Sequence, residues 1–195
     1  MEESVKIAKI KKSCNVGKKV SNILFILAII GCIAALAGSI VIFSMGSDFD
    51  TEIQKGIEAG YITEGDDFGA SSWVNINVGD VSKLHSDVPA IQNAIDDHPY
   101  AITYGSYCMI GAVACVVIAV LMKMISSVFA LIIKEDTPFT DKVIKRVVVI
   151  MIAISACMLL TTGAAFAALG AITTWVVYSI MDYGKTLQIQ SDETL

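Results

Sequence analysis

The placing of the charges constrains this chain more than any other feature. Three long runs carry no charged side chain at all: residues 20–47 (28 residues), 99–122 (24 residues) and 147–181 (35 residues). A bilayer core about 30 Å thick is crossed by about 20 apolar residues of helix. Backbone N–H and C=O groups find no partners in hydrocarbon, so a spanning segment of this kind has to be helical. The first two runs each fit one span. The whole chain is 55% hydrophobic and only 17% charged, with a mean hydropathy of +0.68, where a soluble domain has about 45–50% apolar and about 25% charged residues. A soluble enzyme is thereby disfavoured. A net charge of −5 offers no basic surface to a phosphate backbone, so no direct nucleic-acid partner is expected. The expected partner is the lipid bilayer.

The charged segments between the runs set the expected orientation. Residues 1–19 are net +4, residues 48–98 net −9, residues 123–146 net +2 and residues 182–195 net −2. Lysine- and arginine-rich flanks stay in the cytoplasm. The N-terminus and residues 123–146 are expected inside, and residues 48–98 outside. A cleaved signal peptide is the rival for the first run, with Ala35-Leu36-Ala37 as its cleavage site. The apolar stretch continues to Met45, too long for such a peptide, and a span is preferred. Thirty-five residues of helix would be about 52 Å long, more than one span holds, while two spans of about 17 residues are at the lower limit. Thr161-Thr162-Gly163 is the natural break. The residues alone leave one span and two both open.

The acidic segment predicts small elements. Phe49, Ile53 and Ile57 recur every four residues and predict a short amphipathic helix capped by Asp50 or Thr51. Residues 73–78 alternate, with Val74, Ile76 and Val78 on one face, and predict one strand. Asp87 or Val88 before Pro89 opens a second short helix. Both histidines, His85 and His98, lie here near Asp87, Asp96 and Asp97. No ligand spacing supports a metal, and the segment reads as a solvated acidic loop. Cys14 sits in the basic N-terminal segment, and Cys32, Cys108, Cys115 and Cys157 sit in the runs. With no pair in the outer loop, they read as small packing residues rather than a disulfide framework. Small residues spaced by four (Ala34 and Gly38, Gly111 and Cys115, Gly163 and Ala167) read as packing within one bundle rather than a dimer face.

Lys123, between Met122 and Met124, is the one charge inside an apolar stretch. It reads as an interfacial lysine that snorkels, with a buried cavity lysine as the functional alternative. In the inner connection, Pro138 disfavours helix at Thr137, Thr140 is a good N-cap and Asp141 complements the next helix dipole. These roles explain every residue there except Phe139. No G-x-S-x-G, H-E-x-x-H, glycine-rich phosphate loop or spaced zinc ligands appear. No catalytic, cofactor or metal residues are therefore assigned.

The connection DTPFTDKVIKRV and the ending MDYGKTLQIQSDETL resemble the bacterial membrane proteins classified as domain-of-unknown-function family 2975. The matching positions are Pro138, Phe139 and Thr140, then Tyr183, Gly184, Leu187, Gln188 and residues 191–195, including Ser191 and Asp192. The resemblance implies four helices with both termini in the cytoplasm, though members have a longer segment between the third and fourth spans than this chain has. Members often accompany a small helix-turn-helix regulator, which implies a role in sensing or regulation.

The expected protein is an all-α integral membrane protein of the bacterial cytoplasmic membrane. It is a four-helix transmembrane bundle with a small α+β extracytoplasmic loop; the alternative is three spans. The expected segments are a basic N-terminal segment (1–19), transmembrane helix 1 (20–45), the acidic loop (46–100), helix 2 (101–133), a cytoplasmic turn (134–144), helix 3 (145–162), helix 4 (164–182) and a tail (183–195). Pro138, Phe139, Thr140, Asp141, Tyr183, Gly184, Leu187, Gln188, Ser191 and Asp192 are the candidate contact residues for a membrane or cytoplasmic regulatory protein. Lys123 is the candidate interface or cavity lysine. The expected function is non-enzymatic signalling or regulation. The alternative is a small transporter or immunity accessory acting on a membrane-active compound.

Overall fold

A computed structural model describes residues 2–65, 69–72, 75–79, 81 and 85–193, with side chains for 8–62, 81, 85–191 and 193. The order of elements is α1 (Glu2–Met45), α2 (Ser47–Glu58), β1 (Ile62–Gly65), β2 (Gly69–Ser72), β3 (Asn75–Gly79), α3 (Pro89–Asp97), α4 (Pro99–Glu135), α5 (Asp141–Thr161) and α6 (Ala164–Glu193). Four of the helices are long and apolar enough to cross a membrane. In none of them is more than 17% of the most apolar window buried inside the protein. Leu160, Trp175 and Ile40 lie open at 87%, 71% and 65%. Side chains like these need lipid to cover them, so the helices belong to a multi-pass membrane protein.

The 35-residue run is two helices. Thr161 is the last residue of α5, and the N–H of Thr162, its C-cap, reaches the Met158 carbonyl at 2.8 Å. Gly163 turns the chain at φ +95° and donates to the same carbonyl at 3.0 Å. This left-handed closure favours glycine. The segment boundaries differ from the expectation at both ends of the chain. The basic segment forms one helix with the apolar run, giving α1 a length of about 66 Å. The tail belongs to α6, because a lone Gly184 among helix formers does not end a helix.

The chain divides into two compact units, Met1–Ile29 with Val117–Leu195, and Ile30–Val116. In the first, Val128, Val143 and Ile150 form a buried cluster, with Met124, Leu131 and Met181 packed against it. This cluster joins α4, α5 and α6. Ser126 donates to Asn22 across α4 and α1 at 2.8 Å, and Phe129 lies against the bare Cα of Gly17. Gly170 lets α6 approach Ser155 of α5.

In the second unit, α1 and α4 pack through Ser39, whose Oγ donates to the Gly105 carbonyl at 2.9 Å. Gly105 also receives the Phe43 ring. Cys115 and Cys108 lie against Gly31 and Gly38, the close approach that small residues allow. Gly111 faces open space, and Gly163 serves the turn rather than a helix seam.

The connection between α1 and α4 departs from the expected small α+β module. Three short strands are present, in the order β1-β3-β2, with β1 parallel and β2 antiparallel to β3. They hold four, four and five residues, and neither α2 nor α3 has a buried residue. Among the described residues this segment has no buried side chain, and it reads as a set of small elements on a helical protein. Trp73 and Val74 of the expected strand lie outside the described residues; β3 starts at Asn75. Phe49, Ile53 and Ile57 are half-buried on one side of α2, and Pro89 opens α3 with Val88 at its N-cap. The capping expectation for α2 is corrected. Its N-cap is Gly46, with no side-chain cap, and Thr51 donates to the Ser47 carbonyl at 2.8 Å.

Candidate functional site: a turn and a tail that meet

The two segments that carry specific motifs come together in the first unit. After α4 ends at Glu135, Asp136 takes a left-handed φ of +60° and pairs with Lys11 of α1. Thr137 accepts from the Phe139 N–H at 3.2 Å. Thr140 then caps α5 by accepting from the Val143 N–H at 3.4 Å. Pro138 stands between these two turns, where it forbids helix and aims the next residues.

Three contacts join this turn to the last third of α6. Thr137 Oγ1 donates to Gln188 Oε1 at 2.8 Å. The Phe139 ring occupies the place a Cβ of Gly184 would take, 2.5 Å from the ring edge. Lys185 Nζ donates to Asp141 Oδ1 at 2.7 Å. Gly184 and Gln188 are four residues apart and Lys185 and Gln188 three, so each pair lies side by side on α6. Phe139 is thereby explained, because its ring needs a glycine opposite it. The Lys185 ammonium holds the Asp141 carboxyl below the usual carboxylate range, and that carboxylate holds Lys185 above the usual lysine value. Both groups lie beyond the charge-free run and are open to solvent, so the pair adds little stability.

The other half of the tail motif faces away. Tyr183 is 65% and Leu187 47% exposed, and their spacing of four puts them on one face. Ser191 lies on the last turn of α6, and the Asp192 side chain lies outside the described residues. Lys123 is exposed, sits 5.3 Å from the centre of the Phe25 ring and lines an open groove of about 660 Å³. Thr137 and Lys185 belong to the site as much as the motif residues do. The signal for them is weak, since a hydroxyl before proline and one lysine in a tail fit many roles.

A second junction lies in the other unit. The Asp50 carboxylate accepts from the Ala101 N–H at 2.8 Å, in the first turn of α4. His98 Nδ1 is 3.5 Å from its other oxygen. Asp50 therefore caps a helix 51 residues along the chain rather than its own. Asp96 accepts from Gln92 within α3. Among the described residues, no group of three histidine, cysteine or acidic side chains is placed to hold a metal ion. Comparison with known protein families, curated proteins and solved structures found no match in any of the three.

Proposed function

We propose that the chain is a non-enzymatic protein of the bacterial cytoplasmic membrane that works by protein–protein contact, as the resemblance to domain-of-unknown-function family 2975 implies. On this reading it has four spans, the N-terminus inside, and the turn and tail together in the cytoplasm. The observation that carries the reading is the meeting of the two motifs: Thr137 on Gln188, Phe139 on Gly184, Asp141 on Lys185. Their polar groups are spent on one another, which suits a fixed contact surface better than a reacting centre. The joined turn and tail leave Tyr183 and Leu187 open, an aromatic and an aliphatic anchor of the kind that fills a partner's pocket.

Topology is the first test. A membrane-impermeant thiol label is applied to a cysteine added at the C-terminus, in a background without the five native cysteines. The tail is expected to be shielded in intact cells and labelled after lysis. Labelling in intact cells would put the tail outside and end the cytoplasmic reading. Co-purification in mild detergent then tests the partner; Tyr183→Ala with Leu187→Ala is expected to lose it without changing expression. The groove beside Lys123 keeps the transporter reading in play, and Lys123→Gln at unchanged expression would then remove flux or resistance.

A further inference from the structure

We infer that the groove between α4 and α5 binds the phosphate headgroup of an anionic phospholipid. Its lining holds four cations and no acid: Lys123 on α4, and Lys142, Lys145 and Arg146 on α5. Leu131 and Val149 supply apolar wall, against which the first carbons of an acyl chain would lie. Lys142, Lys145, Arg146 and Val149 fall at spacings of three and four and share one face of α5. That placement does nothing for α5 itself, since like charges at these spacings repel.

The local acids do not cancel the cations. Glu135 approaches Lys142 at 3.5 Å, and Asp141 is taken by Lys185. Among the described residues, Lys123, Lys145 and Arg146 face no carboxylate within ion-pair distance. Lys123 has only the Phe25 ring beside it and Lys145 acts on Asp141 only at longer range, so three cations without an ion pair around one open groove of about 660 Å³ suit an anion with several acceptor oxygens. Arginine meets such a group with a fork of donors, and lysine as a point charge.

Basic residues beside a span also serve to orient it, but orientation needs only their presence on the flank. Here they converge from two helices onto one groove, with a lysine far up α4 reaching the same space. Basic pockets of this kind between membrane helices take lipid headgroups. The inference rests on the membrane reading of the four helices and not on which side of the membrane the tail lies.

The test uses the full-length protein in detergent micelles, titrated with phosphatidylglycerol or phosphatidylcholine and read by native mass spectrometry. Phosphatidylglycerol is expected to stay bound and phosphatidylcholine to leave. Lys123→Gln, Lys145→Gln and Arg146→Gln together are expected to weaken phosphatidylglycerol by about tenfold or more. An equal charge loss on α1, Lys12→Gln with Lys18→Gln and Lys19→Gln, is expected to leave it unchanged. Equal weakening by both triple variants would overturn the site, as would equal retention of the two lipids. Displacement of the lipid by an equal concentration of inorganic phosphate would make this a free-anion site and overturn the lipid assignment. If the triple variant does not extract as one species, Arg146→Gln alone is read in its place, and unchanged retention there counts against the groove. The readout needs no topology, so a tail found outside the cell would sink the cytoplasmic reading and leave this measurement standing.

Discussion

Both units close a helix end with an aspartate, and the two aspartates do different work. Asp50 is 13% exposed and accepts from a backbone N–H. Asp141 is 68% exposed and meets the flexible end of Lys185. A carboxylate on the amides of a helix start satisfies donors that have no other partner and meets the positive end of the dipole. A lysine ammonium in water loses little when its partner leaves. One junction is built to stay shut. The other is held by ring-on-glycine packing and is trimmed by charge, so a substitution there is expected to loosen the tail while the rest of the unit stays folded.

The largest expected effect tests the closed junction. Asp50→Ala is expected to lower stability by about 1–2 kcal/mol, the value of a lost cap in a partly buried site. A fall in the thermal midpoint of the detergent-solubilised protein, followed by circular dichroism, measures it. Asp50→Asn keeps an acceptor for the Ala101 N–H and is expected to recover part of the loss. If both variants melt like the parent, Asp50 is not a cap and the contrast between the junctions disappears.

The next effect is at the other junction. Phe139→Ala removes a half-buried ring, expected to cost about 1 kcal/mol from the lost apolar contact. The damage should be local: faster amide exchange in α6 beyond Gly184, with little change in the α4–α5 cluster around Val143. Gly184→Leu puts a side chain where the ring lies and should release the same segment. Exchange that rises across all of α5 and α6 alike would mean that the clasp and the core open as one.

These two junctions also differ in how far the residues announced them. The charge-free runs, the break at Gly163 and the cap at Thr140 are legible because each is a local pattern: length, a positive-φ glycine, a hydroxyl three residues before its amide. Turn and tail were legible as motifs, while their meeting was not, because Gly184 opposite Phe139 is a fact of packing 45 residues apart. Asp50 misled for the same reason. Periodicity says which residues lie in a helix and is silent on which helix end a carboxylate reaches. Neither the groove nor its cations could be read as one site, since Lys123 joins the α5 residues only after α4 and α5 pack.

The smallest expected effect sharpens the contrast most. Asp141→Asn removes the charge of the exposed pair and leaves Phe139 on Gly184. It should raise amide exchange near Lys185 slightly and leave the thermal midpoint where it was. Salt should do the same, because screening shortens to about 3 Å at 1 M and acts on solvent-open pairs first. The acid side follows from the shift of Asp141. Its folded carboxyl sits below the usual range because of the Lys185 hydrogen bond, so the pair's contribution is present above that range and is lost as pH falls through the lowered value. At neutral pH the pair is fully formed. Lys185, held above the usual lysine value, loses its share only in strong alkali. Acid should therefore loosen the tail gently, read as amide exchange near Lys185, and exchange there that stays flat as pH falls through the lowered value of Asp141 would deny the pair its share.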